Sequence, residues 1–175
     1  GGKIGGGYQF DNSEGAGYIS LGEPSQLDLN GSEMTILGWI RYPATPSTWM
    51  GIIAKMSTGA GYRISVSSSN KLGFLVSGDS VISEGSIVPG QWTFVAGVFK
   101  RPNIYVYING VKDTNVGYRD ANISPNNAEV WIGRGDDSLG INSYPFNGSI
   151  DEIRVYDFAL SDEQIAGYLK KRINQ

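Results

Sequence analysis

The sequence predicts an all-β fold, two antiparallel sheets packed as a β-sandwich or jelly roll, with a short helix at the C-terminal end. Three observations predict it. Between Tyr8 and Tyr156, short runs rich in Val, Ile, Thr and aromatic residues alternate with Gly, Pro, Asn, Asp and Ser at the spacing of a sandwich. Asn109-Gly110 stands between two such runs and supplies the positive-φ pair that a two-residue hairpin turn needs. Helical periodicity begins only after Leu160, where Ser161 and Gln164 have the S-x-x-Q spacing of a capping box.

In chain order the predicted strands are Tyr8 to Phe10, Gly17 to Leu21, Met34 to Ile40, Gly51 to Met56, Tyr62 to Ser67 and Lys71 to Val76. They continue with Val81 to Ser83, Trp92 to Phe99, Asn103 to Ile108, Val111 to Thr114, Glu129 to Ile132 and Ser149 to Tyr156. The hairpin at Asn109-Gly110 sets a register: Ile108 pairs with Val111, Tyr107 with Lys112, Val106 with Asp113 and Tyr105 with Thr114. Period-two alternation then turns Ile104, Val106 and Ile108 toward the core and Tyr105 and Tyr107 toward an outer, amphipathic face. The closing helix places Ile165, Tyr168, Leu169 and Ile173 at helical spacing, with Asp162 and Glu163 near its start and Lys170, Lys171 and Arg172 near its end, as the helix dipole favours.

The 175 residues suit one domain, which at this size buries roughly 70% of the surface its unfolded chain exposes. Residues 1–7, Gly1-Gly2-Lys3-Ile4-Gly5-Gly6-Gly7, read as a linker, and residues 8–175 as the domain, a module cut from a longer polypeptide. A net charge of −3 offers no basic field for a nucleic-acid backbone or an anionic membrane surface. Cys and His are both absent, which removes disulfides, Cys/His zinc sites, thiolate nucleophiles and imidazole bases. The lack of Cys fits a cytosolic protein or a prokaryotic surface protein equally well. No apolar run approaches the ~18 residues of a membrane span, and no signal peptide is read at the start.

Two segments together carry a family resemblance. Gly90-Gln91-Trp92-Thr93-Phe94-Val95-Ala96 with Ile104-Tyr105-Val106-Tyr107-Ile108-Asn109-Gly110 resembles a "G-Q-W-x-x-V-A … L-Y-V-N-G" hairpin. Ile132-Gly133, Phe146-Asn147-Gly148-Ser149-Ile150-Asp151-Glu152-Ile153-Arg154-Val155-Tyr156 and Ala159-Leu160-Ser161 with Glu163 and Ile165 resemble "I-G … F-x-G-x-I-D-E-V-R-I-Y … A-L-S-x-x-E-I". Both patterns are those of the laminin-G-like family with the concanavalin A-like jelly-roll fold. Phe10-Asp11-Asn12 and Tyr18-Ile19 stand where such domains show "F-D-G … Y-V". Thr93-Phe94 replaces a His that many members carry after the Trp, and Phe94 is expected to pack beside Trp92 and Ala96 on one strand face.

The resemblance implies a structural Ca²⁺ held by Asp151 with Asp11 and Asn12, backbone carbonyls and water completing its 6–8 oxygens. Otherwise Asp151 bonds backbone amides at the strand entrance. Alternation places Asp151, Ile153 and Val155 on one face and Glu152 and Arg154 on the other. A sugar presents apolar C–H faces and polar edges, so its sites combine an aromatic platform with hydroxyl-bonding groups. Tyr105, Tyr107, Trp49, Tyr62 and Tyr144 are the candidate platform residues, and Asp136 and Asp137 the candidate carboxylates. Tyr118 is a further exposed aromatic, whereas Trp39, Trp92 and Trp131 sit within apolar strands and read as core. Arg134-Gly135-Asp136 has the form of an adhesion triplet but reads more simply as part of a solvated loop. Sequons at Asn30, Asn122 and Asn147 are weak signs of a secreted surface.

Hydrolases of this fold carry closely spaced acids in an E-x-D-x-x-E pattern, which this chain lacks, and lyase chemistry usually wants a Tyr or His base with an Arg or Asn neutraliser, of which His is absent. The expected function is therefore a non-catalytic extracellular, secreted or cell-surface module that binds a polysaccharide or glycan as a lectin does. The alternatives are a protein-binding module of cell adhesion and a purely structural spacer, with a glycoside hydrolase or lyase ranked behind them, because one sandwich hosts all of these roles.

Overall fold

The computed structural model describes residues 2–11, 17–135 and 144–173. The strands are β1 (Tyr8–Phe10), β2 (Ile19–Ser20), β3 (Glu33–Arg41), β4 (Met50–Ser57), β5 (Ala60–Val66), β6 (Lys71–Val76) and β7 (Asp79–Ser86). After them come β8 (Thr93–Lys100), β9 (Asn103–Ile108), β10 (Val111–Lys112), β11 (Gly117–Tyr118), β12 (Trp131–Ile132) and β13 (Gly148–Tyr156), then helix α1 (Asp162–Ile173). The first sheet runs β1-β13-β3-β8-β9-β10, with β11 also on β9, and the second runs β2-β12-β4-β5-β6-β7. Every pair is antiparallel, so the predicted two-sheet sandwich with a C-terminal helix is the observed fold. Strand β11 lies outside the predicted runs, because a two-residue bridge has no periodicity to read.

Asn109 and Gly110 adopt φ of 50° and 77°, and the turn sets Ile108 opposite Val111 and Tyr107 opposite Lys112 as the hairpin chemistry requires. Between the sheets lies the main core, where Met34, Ile36, Ile64, Phe74, Phe99 and Val106 meet. A second core lies on the outer face of the first sheet: Leu37, Trp39, Phe94, Ala96, Val98 and Tyr107 are covered by Leu160 and Ile165. Strands β3, β8 and β9 are therefore covered on both faces, which explains the near-continuous apolar run Thr93–Phe99. Phe94 shares its face with Ala96 and Trp92, as expected.

Helix α1 begins on the predicted box. Gln164 N–H donates to Ser161 Oγ at 3.3 Å, and Ser161 N–H donates to Gln164 Oε1 at 2.8 Å. Two amides that a helix start leaves orphaned are thus satisfied. Residues 2–7, read as a linker, lie against the sandwich: Ile4 joins the second core, and Lys3 Nζ sits 5.0 Å from the Trp39 ring centre.

The closing strand contains a register shift between Asp151 and Arg154, with Glu152 at a φ of 53°. This bulge corrects the alternation predicted for the segment. Ile150, Ile153 and Val155 face the main core, whereas Asp151 faces outward opposite Trp39. Gly38 makes room for Ile153, since a Cβ there would stand 2.4 Å from Ile153 Cδ1.

Candidate functional site

The outer face of the second sheet can be built from its register. Trp131 pairs with Ser20 and Ala54, Ala54 with Arg63, Arg63 with Leu75, and Leu75 with Ser80, so these side chains form one row across the sheet. The neighbouring row carries Ser65, Gly73 and Ile82. Trp49 lies over that second row because Gly73 has no side chain: a Cβ there would stand 2.8 Å from Trp49 Cζ3. The indole is half-buried, and beside it Ser65, Leu75, Ser80 and Ile82 line a hollow of about 80 Å³.

Tyr144 reaches the same face through stacked backbone. Gly51 N–H donates to Tyr144 O at 2.8 Å, and the Tyr144 ring rests against Gly135. The Arg63 guanidinium lies 4.9 Å from the Tyr144 ring centre, a cation–π arrangement. Further along the row the Arg134 guanidinium sits 3.9 Å from the Trp131 ring centre and 4.8 Å from that of Tyr18. Trp131 Nε1–H donates to Glu129 Oε2 at 2.9 Å, and hydrogen bonds from the Ser20 hydroxyl and that indole hold the Glu129 carboxyl below its ordinary range. Trp131 is buried as predicted, but on this outer face and not between the sheets.

The structure thus brings Trp49 and Tyr144 together on one face and adds Arg63, which the sequence reading missed. Alternation in Tyr62 to Ser67 could have found it, because a cation between Tyr62 and Ile64 must face away from the core. Two other predicted residues need correcting. Tyr62 is 1% exposed, facing the main core with its hydroxyl donating to Leu27 O at 2.9 Å; burial first, then the Asp28 charge, pushes its phenol upward. Tyr107 is likewise 1% exposed, lying beneath α1 with its hydroxyl donating to Asp162 Oδ1 at 2.8 Å. Burial, and then that bond, pushes its phenol upward. The outer face, read as amphipathic and open to water or a ligand, is instead covered by the chain's own helix.

Tyr105 borders a groove of about 360 Å³ at the start of α1, but Lys112 Nζ stands 4.5 Å from its ring centre and pairs with Asp162 at 2.8 Å. The protein's own cation already occupies that platform. Asp136 and Asp137 lie outside the described residues. Arg134, first residue of the adhesion-like triplet, is 2% exposed and stacked, so its guanidinium is not displayed on a loop.

Two residues of the predicted calcium set, Asp151 and Asp11, flank β1. Tyr8 opposes Ile150 and Phe10 opposes Gly148, so Asp151 lies one position beyond one end of β1 and Asp11 one position beyond the other. Four residues of strand, about 13 Å, separate them. Asp151 is 6% exposed and its Oδ2 accepts the Ile4 N–H at 2.8 Å, which is the amide-bonding role weighed against calcium in the sequence. Asn12 lies outside the described residues, and among the described residues no group of three or more acids is placed to hold a metal ion.

This is a two-sheet sandwich with an aromatic and arginine-bearing outer face. A family model described as the concanavalin A-like lectin/glucanases superfamily matches residues 13–166, and the chain belongs to that family. No curated protein sequence matches it. Among solved structures it is similar to Ruminococcus gnavus IT-sialidase CBM40 bound to α2,3-sialyllactose (13% identity, TM-score 0.76, 97% of this chain and 100% of that one). It is also similar to a NanB sialidase variant from Streptococcus pneumoniae (19% identity, TM-score 0.71, 93% and 27%) and to a native heptameric SAP-like pentraxin from Limulus polyphemus (18% identity, TM-score 0.68, 91% and 78%). At these identities the likeness is one of fold.

Proposed function

We propose that the protein is a non-catalytic carbohydrate-binding module of a longer extracellular polypeptide, with its glycan on the outer face of the second sheet. The observation that carries this reading is the Trp49 indole laid over Gly73 beside the Arg63–Tyr144 stack. An apolar ring flanked by a guanidinium and by the Ser80 hydroxyl matches a sugar's C–H face and its hydroxyl edge. The CBM40 structure bound to sialyllactose supports a glycan as ligand, and the small share of the sialidase chain that this chain spans supports a place within a larger protein. A binding role in place of catalysis is supported by the two acids of the closing strand, which are engaged structurally: Asp151 with Ile4 and Glu152 with Arg154 at 2.8 Å.

A glycan array carrying neutral and acidic saccharides, probed with the wild-type protein and with Trp49→Ala, Gly73→Ala and Arg63→Met, tests the reading. Wild type should bind, and each variant should lose about tenfold in affinity, some 1.4 kcal/mol, while keeping its melting temperature within a few degrees. Absence of any bound glycan, or undiminished binding by all three variants, would sink it.

A further inference from the structure

We propose a second saccharide site, separate from the Trp49 platform: a cleft at one end of the sandwich that takes a single uncharged sugar unit. The cleft measures about 330 Å³, and pockets for small ligands begin at roughly 300 Å³. One wall is the loop from β3 to β4, with Pro43, Pro46, Ser47 and Thr48, and the other is the segment entering β13, with Pro145 and Asn147. No residue lines both this cleft and the hollow beside Trp49. Trp49 turns to the outer face of the second sheet, whereas the cleft loop carries the chain across the end of the sandwich from the first sheet to the second.

Tyr42 fixes both walls. Its ring is buried and meets that of Phe146 edge-on, with centres 6.4 Å apart and planes at 86°. Phe146 stands between Pro145 and Asn147, so this contact seats the second wall. Gly148 lets the same wall close on the first, since a Cβ there would stand 2.2 Å from Arg41 O and 2.8 Å from Tyr42 Cα. The Tyr42 hydroxyl donates to Asn70 Oδ1 at 3.1 Å, and Asn70 Nδ2 donates to Thr45 Oγ1 at 2.9 Å, which ties the loop back to the sandwich. Pro43 and Pro46 restrict the backbone on either side of Thr45. A cleft built before its ligand arrives loses little entropy when it fills.

The lining selects the ligand class. Three proline rings offer apolar surface for the C–H face of a sugar, and Ser47, Thr48 and Asn147, all exposed, offer hydroxyl and amide groups that donate and accept. None of the lining side chains is ionisable, although the chain carries 14 Lys and Arg and 17 Asp and Glu. A charged group would enter without a counter-charge, at a desolvation cost, and a wholly apolar one would leave the three polar side chains unpaired. A neutral sugar meets both requirements.

The test is NMR on the isotope-labelled protein, titrated with the methyl glycosides of glucose, galactose, mannose and N-acetylglucosamine, and with methyl glucuronide as the charged counterpart. At least one neutral glycoside should shift the Ser47, Thr48 and Asn147 amide signals, in wild type and in Trp49→Ala alike, with a Kd of about 1 mM. Ser47→Ala/Thr48→Ala, and Asn147→Trp, which fills the cleft, should each weaken that binding about tenfold while keeping the melting temperature within a few degrees. The glucuronide should bind about tenfold more weakly than the best neutral glycoside. No shift at those amides with any neutral glycoside, shifts undiminished in both cleft variants, or shifts lost in Trp49→Ala would overturn the second site. A glucuronide bound as tightly as the best neutral glycoside would overturn the uncharged class. Because Trp49→Ala removes only the platform, failure of the platform and failure of the cleft are read separately.

Discussion

Trp49 owes its place to Gly73, and Arg63 owes its aim to Tyr144, so the proposed site is a set of pairs and not a set of single residues. The same holds for Asp151, whose burial would be costly for an isolated carboxylate and is offset by the Ile4 N–H. Asp151→Ala should lower stability by roughly 1.5–3 kcal/mol, the worth of a hydrogen bond to a buried charge. Denaturant melts in calcium and in chelator should show the same loss; a loss confined to the calcium arm would identify Asp151 as a metal ligand. The Lys55 ammonium is a comparable case that its sequence context did not reveal. Its side chain is buried and donates to Asn126 O and Ala128 O, each at 2.8 Å, fastening the loop before β12 to β4.

At the level of elements, α1 is a lid on the outer face of the first sheet. Its capping box was legible because four consecutive residues carry it, and its partner surface was not, because Leu37, Phe94, Ala96 and Tyr107 come from three strands. Ile165 is fully buried beneath it, and Ile165→Ala should cost about 2–5 kcal/mol, seen as a lower midpoint in chemical denaturation. A loss below about 0.5 kcal/mol would mean the helix does not seal that core. The bulge in β13 is the opposite case, because it breaks the period-two rule on which any reading of strand faces depends. Edge strand β7 is managed by side chains: the Asp113 carboxylate accepts Glu84 N–H and Gly85 N–H, each at 2.9 Å, and Asn115 Nδ2 donates to Ile82 O at 3.0 Å. Those groups would otherwise be open to pairing with another chain.

Across the whole molecule, two carboxylates tie elements together and contribute to its response to acid. Burial works against the charged form of Asp113, but the N–H groups of Asn115, Glu84 and Gly85, with Lys71, outweigh it and hold the carboxyl below its ordinary 3.8. Hydrogen bonds from Lys112 and then Tyr107 do the same for Asp162. A carboxyl held low when folded adds stability that is present above the unfolded value and is lost as pH falls through the folded one. The melting temperature should therefore hold between pH 7 and 5, where the chain has no histidine to titrate, and fall below about pH 4. Asp113→Asn and Asp162→Asn should each be less stable at pH 7 and shallower on the acid limb. A limb as steep as that of wild type in both variants would assign the acid response to other groups.

The sequence by itself determined the sandwich, the hairpin at Asn109-Gly110, the helix start at Ser161 and the family, because each is written in contiguous residues whose periodicity or turn chemistry is local. Only the tertiary structure decided which face of each sheet is covered. It buried Tyr62 and Tyr107, seated Lys112 on Tyr105, turned Asp151 outward through a bulge, and gathered Trp49, Arg63 and Tyr144 from three separate segments. Exposure of a half-apolar face depends on what packs against it, and that covering comes from residues distant in the chain.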